Sequence, residues 1–562
     1  MRRYVLGVTV FLVTILAAVS CGKEDPGSST LSDSAGKWTA DSDDLISGTT
    51  FDRTIQVTFA SGGATVSGEG STQSVTISGN DVTITNSGDE VVRYNLSGST
   101  SDGFFKLYSS RKQAIVLDGV SITNPAGAAI NNQSGKRTFV VLQGSNSLAD
   151  GSSYSDESSS EDMKAAFFSE GQLIFSGSGS LTVTAKGKAG ITSDDYLRFM
   201  GSHTIKVSSS AGHGLRGKDY VVTNNGTIDI DVSATGKKGI STDGTVYISG
   251  GSITISSTSS AGSVDGELTG AAGIKADLRF EMTGGSVDIN CSGTGAKGIN
   301  CDNVGYISGG SLNVSVTGNN YGTSGSSRPG GSYSSSSSKT AKGIKFDGNL
   351  DISGGDITVS SDTHEGTEAK GVIKITGGTL FSCGSDDAVN AGGDMTISKG
   401  NVCAWSSSND GLDANGNLTI DSGVVLAIGS NSPEVAIDAN TEGGKKFTFN
   451  GGTLVAIGGI ENGSTLNQSC YSASQTRDTW FALYSGSEAV LAFKTPSTVG
   501  SNGTIIVSTS GTTSLKKGIT TSGGSSLFGG IALTGASVSD GTQVSLSNYT
   551  GGSGMGPGGP RW

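Results

Sequence analysis

One stretch, KGIKFDGNLDISGGDITV at residues 342–359, returns along the chain with enough fidelity to decide what it can fold into. It comes back as KGISTDGTVYISGGSITI from Lys238 and as KGINCDNVGYISGGSLNV from Lys297, with looser copies from Ala189 and Ala272. In residues 342–359 three short pieces carry the apolar residues: Ile344, then Leu350 and Ile352, then Ile357 and Val359. The breaks between them are Asp-Gly-Asn and Gly-Gly. Alternation of period two is strand patterning, and such breaks are turn chemistry. A unit this small cannot bury its apolar face alone, so copies must stack on one another.

The spacing sets the geometry of the stack. The small residue ahead of the first apolar position serves as an anchor, at Gly190, Gly214, Gly239, Gly273, Gly298, Gly343, Gly366, Ala388, Gly411 and Ala436. Seven of the nine intervals between anchors are 22 to 25 residues, which suits three strands and three turns per coil. The two longer intervals hold Ser/Gly-rich insertions at 256–270 and 318–340, and an acidic Ser-rich insertion lies upstream at 150–162. Insertions at one point of a repeat are loops on one face of a solenoid. The pattern therefore predicts an all-β chain, a right-handed parallel β-helix over residues 51–460 with capping strands at both ends. Residues 75–95 read as the N-terminal cap and 461–548 as C-terminal capping or flanking strands. The Gly-rich tail 549–562 has disorder-type composition.

Upstream of the coils, Arg2 and Arg3 precede an apolar run over residues 5–19, which is signal-peptide patterning and short for a membrane span. Ala18-Val19-Ser20-Cys21 resembles a bacterial lipobox, so residues 1–21 are expected to direct lipidation of Cys21. Residues 22–50 read as a flexible tether. Glu24-Asp25 is similar to surface-export signals of lipoproteins in the Bacteroidota, and the expected location is the bacterial outer membrane or cell surface, with membrane contact through the lipid alone. The remaining cysteines, Cys291, Cys301, Cys383, Cys403 and Cys470, are odd in number and lack CxxC spacing, against a zinc site or a disulfide framework. A balance of 37 Lys+Arg against 50 Asp+Glu, net −13, disfavours nucleic acid as a partner. A monomer is expected.

LDGVSIT, AINNQSGK, LADGSSY and the serial GI(K/S/N)xxD…ISGG units together resemble the clostridial and Bacteroidota carbohydrate-binding parallel β-helix proteins. The resemblance covers most of residues 53–500. It implies a pectate-lyase-like fold, binding of cellulose and acidic plant sugars, and bound calcium. Members of that family often carry Asp before the Gly-Ile step. Lys238, Lys297 and Lys342 stand there in this chain, a departure that argues against equivalent calcium sites in those coils.

Three sets of residues could carry function. Asp194, Asp243, Asp277, Asp302 and Asp347 recur four positions after the anchor, with Lys238, Lys275, Lys297, Lys342 and Lys345 at nearby repeat positions. The plain reading is a solvated charge ladder that fixes stacking; the functional one is a carbohydrate groove involving Lys342, Lys345 and Asp347. In later coils Glu365, Asp386, Asp387, Asp410 and Asp413 form an acidic stack with few lysines, the donor chemistry of a calcium site. Glu368 and Asp438 recur nearby. On the last strand of these coils both parities are hydrophobic, leaving Phe381, Cys403, Trp405, Leu426, Ile428, Val455 and Ile457 as an outward stripe. That stripe is either covered by the C-terminal strands or, at Trp405 and Phe381, a platform for sugar rings. Tyr196, Tyr220, Tyr247 and Tyr306 are further platform candidates. Histidines are limited to His203, His213 and His364, and no nucleophile elbow stands out, so no enzyme activity is expected. The reading is a non-catalytic polysaccharide-binding surface lipoprotein; the alternatives are a polysaccharide lyase of pectate-lyase type and a structural adhesin.

Overall fold

A computed structural model describes residues 36–155, 160–322, 338–430, 433–497 and 503–552. The expected signal peptide, Cys21 and most of the Gly-rich tail lie outside the described residues.

The coils are a parallel β-solenoid. The first strand of every coil joins a 15-stranded sheet, parallel throughout except at its opening hairpin, Gln73–Ser78 with Asp81–Asn86. Second and third strands share a 29-stranded sheet, because Arg279–Cys291, Val304–Val316 and Leu350–Ser361 run through the Gly-Gly bend with only a register shift. Alternation puts one parity inside. Ile344, Leu350, Ile352, Ile357 and Val359 are all buried, and a single core cluster continues from Ile55 to Ile506. The insertions leave from one corner, between the third strand and the next first strand; residues 262–269 fold there as the hairpin Gly262–Val264 with Glu267–Thr269.

The anchor glycines have a packing reason. An alanine Cβ at Gly298 would fall 2.1 Å from Val314 Cγ1, at Gly343 2.2 Å from Val359 Cγ1, and at Gly214 2.4 Å from Ile230 Cγ2. The first strand begins against a core residue of the third strand, and a β-branched residue there leaves no room for a methyl group. Where the facing residue shrinks to Ala404, in register with Ser382 and Val359, the anchor becomes Ala388.

At the far end, Thr504–Ser508 pairs antiparallel with Thr453–Ile457 and stops the third ladder. A six-stranded antiparallel sheet built from Trp480–Ser485 to Ser537–Gln543 then lies on the outer face of that ladder. Tyr549 still pairs with Cys470, so the tail begins later than residue 549.

The expected tether needs a larger correction. From Gly36 the chain is a strap on the outer face of the second strands. Trp38 packs edge-on against Tyr196 and Tyr220, at 5.5 and 5.2 Å between ring centroids, with the Arg198 guanidinium 5.4 Å from its own. Asp44 is buried, with Oδ1 2.8 Å from Arg137 Nε and Oδ2 2.6 Å from Arg198 Nη1; the Tyr196 hydroxyl donates to Oδ1. A composition-based reading saw polar residues; their partners lie in coils far along the sequence.

Candidate functional site

The outward face of the first strands changes sign along the axis. Strand register aligns Lys297 with Lys342, and in the next coils Glu365, Asp387 and Asp410 precede the anchors. Two positions after the anchor the same ladder reads Lys345, Glu368, Asn390, Asp413 and Asp438. Successive coils are about 4.8 Å apart, so like charges in one row interact strongly unless countered.

In the early coils they are countered, by the expected Lys275 and Lys345 in two cases and by Lys164 and Arg216 in the others. Asp194 meets Lys164 at 2.5 Å, Asp243 meets Arg216 at 2.8 Å, Asp302 meets Lys275 at 2.7 Å and Asp347 meets Lys345 at 2.5 Å. Lys238 and Lys297 are instead pressed down to about 8 by burial and neighbouring cations. Lys342 is 6% exposed and bonds Glu368 at 2.6 Å and Glu365 at 3.0 Å. A buried, doubly paired ammonium is not a groove residue, which corrects its assignment to sugar binding. Lys345 and Asp347 remain at the surface as one ion pair.

The proposed metal ligands divide into two groups. Glu365 and Asp386 gather around His364, which contacts Glu365 and lies 3.3 Å from Asp386 Oδ2. Burial opposes ionisation of Glu365, yet the His364 hydrogen bond and the Lys342 charge hold it at about 2. This group is compensated. Asp410 and Asp413 instead meet Asp438, with ligand oxygens all within 4.8 Å of one another. Asp387 adjoins them: its Oδ1 accepts from the Asp410 backbone N–H, and Asn390 Nδ2 donates to both Asp387 and Asp413.

Among the described residues, no ion pair with a Lys or Arg offsets the charge here. Burial raises Asp387 to about 6, Asp410 to about 8, and Asp413 and Asp438 to about 7. The next contributions that raise them come from other carboxylates, Asp386, Asp387, Asp438, Glu434 and Glu461. Glu434 belongs to the coil of Asp438 and Glu461 to the one after it. Hydrogen bonds from Val435 N–H and Asn390 relieve this only in part. An all-oxygen set without a facing ammonium is donor chemistry that fits a hard divalent cation such as calcium, which accepts several carboxylates in flexible geometry. The sequence reading undervalued Asp438. Its place in the row of Asp413 was the available signal.

The apolar stripe on the third strands is covered. Cys403, Leu426, Ile428, Val455 and Ile457 are buried in a second core with Phe481, Leu483, Phe493, Ile505 and Phe528 of the C-terminal strands. Trp405 and Phe381 are half-buried against it, and the Phe381 ring lies 6.2 Å from that of Phe528. They are interface residues, which corrects their assignment as an open sugar platform. Tyr196 and Tyr220 lie beneath the strap, whereas Tyr247 and Tyr306 keep solvent-exposed surface on the same outer face.

Two of the three histidines are withdrawn from acid–base chemistry. His203 is fully buried beside the stacked Phe175 and Phe199 rings, and burial lowers it to about 4. His213 is lowered to about 3, first by burial and then by Lys238. Arg216 is held by both oxygens of Asp243.

A family model described as carbohydrate-binding domain-containing protein matches residues 78–388. Asp410, Asp413 and Asp438 lie beyond that match. No curated protein matches the chain. Among solved structures, the polysaccharide lyase-like protein from C. thermocellum, as a gadolinium derivative, is similar at 25% identity, covering 45% of this chain and 96% of that one, with a TM-score of 0.36.

Proposed function

This chain belongs to the carbohydrate-binding domain-containing proteins, and we propose that it is a non-catalytic, calcium-dependent binder of acidic polysaccharide, displayed on the cell surface by a lipid on Cys21. The observation that carries the calcium reading is the acidic group Asp387, Asp410, Asp413 and Asp438. Asp410, Asp413 and Asp438 would hold the ion and Asp387 would adjoin it. Bound calcium would supply the positive charge that lets a protein of net charge −13 hold a uronate carboxylate. The chain's own residues do the rest: the strand register lines up the oxygens, and Asn390 spaces two of the carboxylates. A binder without chemistry agrees with the buried state of His203 and the occupied state of Arg216.

Retention of the chain on polygalacturonate gel, with calcium and with chelator, tests this. Retention in calcium that is lost in chelator, and lost when Asp410 and Asp413 become alanine, is expected. Retention that ignores both treatments would remove the calcium reading. Release of unsaturated, ultraviolet-absorbing product would replace binder with lyase, and failure to bind any glycan would leave a structural adhesin. Lipidation is checked separately by fatty-acid labelling, which Cys21→Ala should abolish.

A further inference from the structure

The outer face of the second strands carries a row not used above. Register aligns Arg198, Val222, Tyr247, Glu281, Tyr306, Asp351 and Lys374, one per coil. Beside it, Tyr196, Tyr220, Thr245 and Arg279 form a second row. The strap occupies the early half. Its first described residue, Gly36, accepts a hydrogen bond from Thr245 Oγ1 at 2.5 Å and abuts Leu278. Past that point Tyr247 and Tyr306 keep part of their surface in solvent, and Leu278 is 44% exposed.

We infer that this later half, Tyr247 and Tyr306 with Leu278 just ahead of the strand that lies between theirs, is a cation-independent stacking surface for a neutral β-linked polysaccharide running along the solenoid axis. It extends the carbohydrate reading to a second face, since the acidic group sits on the first-strand sheet.

Three observations support it. First, the ring is braced. The Arg279 guanidinium is 5% exposed and lies 3.8 Å from the centroid of Tyr306, with Nε bonded to Glu281 at 2.6 Å. A tyrosine laid over a buried cation keeps its orientation, which lowers the entropy lost when a sugar face packs on it. Second, the dimensions agree. Tyr247 and Tyr306 are two coils apart, about 10 Å, roughly one disaccharide of an extended β-linked chain. Third, the charge is balanced: Arg279 and Lys374 against Glu281 and Asp351. Such a face gains nothing from a polyanion, while these groups can bond hydroxyls at the rim of apolar rings. The covered half shows the same face accepting a ring, since Trp38 packs on Tyr196 and Tyr220 there.

The test is retention of the full chain on insoluble cellulose, with and without chelator, for the wild type, Tyr247→Ala, Tyr306→Ala and Tyr306→Phe. Wild type should be retained equally in both media. Each alanine should weaken retention about three- to tenfold, and the phenylalanine should not, because the ring rather than the hydroxyl carries the contact. Thermal melting identifies any variant that has lost its fold, and the phenylalanine variant preserves packing. Wild-type retention that both alanine variants match, or exceed because the chain's own upstream residues occupy the face, overturns the inference. So does a wild type that ignores neutral glucan. Binding of the same tyrosine variants to polygalacturonate in calcium reports on the acidic group separately, so either reading can fail alone.

Discussion

Gly298 and Val314 stand in a steric relation that repeats along the solenoid: the Cβ that alanine would add at 298 falls 2.1 Å from Val314 Cγ1. Gly298→Ala should therefore lower stability by about 1–3 kcal/mol through overpacking. The protein already contains the remedy, alanine at 388 with alanine at 404. The double variant Gly298→Ala, Val314→Ala removes the side-chain clash but keeps the 2.6 Å approach to the Gly343 carbonyl oxygen, so it should recover part of the loss, as read by thermal melting. A double variant no better than the sum of the singles would place the constraint elsewhere.

The acidic group sets an alkaline dependence. Its four carboxyls titrate higher in the fold than the ordinary aspartate value of 3.8. The unfolded chain therefore releases its protons first. This contribution to stability is complete below 3.8 and is lost as pH rises through the folded values of about 6 to 8. Without divalent cation the melting temperature should fall by a few degrees, on the order expected for 1–2 kcal/mol, between pH 5 and pH 9. Calcium should remove that fall, and Asp410→Asn should reduce both the fall and the calcium response.

The strap meets the coils through Asp41 on Arg137 and through the buried Asp44 on Arg137 and Arg198. Asp44→Ala would leave Arg137 and Arg198 without their buried partner, at a cost of about 3–5 kcal/mol if the strap stayed in place. Release of the strap is the cheaper outcome. It should appear as a red shift of Trp38 fluorescence and as new proteolysis after residues 36–50, while the coils keep their far-ultraviolet circular dichroism.

His203 sets an acid dependence of opposite sign. Burial lowers it to about 4 from 6.5, so the unfolded chain takes up the proton first as pH falls. Stability is full above 6.5 and declines toward pH 4, by about 3 kcal/mol if His203 acts alone. His203→Leu should make this limb shallower in melts between pH 7 and pH 4, with His213, lowered to about 3, supplying the remainder.

The coils were legible because their signal is local: two-residue alternation and glycine spacing mark Ile344, Leu350 and Val359 as core before any contact is known. What cover lies over an outward residue was not legible. Trp405 and Phe381 look alike whether a sugar or the C-terminal sheet faces them, and the strands that settle it arrive more than 70 residues later. Asp44 reads as solvated for the same reason, since its partner Arg198 is 154 residues away. The acidic ladder was visible as a row. Its division was not, because Lys342, one coil earlier, neutralises Glu365 and leaves Asp410 and Asp413 to Asp438.

A stack whose coils touch only their neighbours ordinarily frays from its ends. Here the strap pins the early coils from Arg137 to Thr245, and the C-terminal sheet clasps the late ones from Phe381 to Ile457. The coils at 297–316 and 342–361 have neither staple, and the insertion at 318–340 leaves between them. Opening should thus start in the middle, as a hinge between two clamped blocks, and amide exchange should be fastest there rather than at the caps.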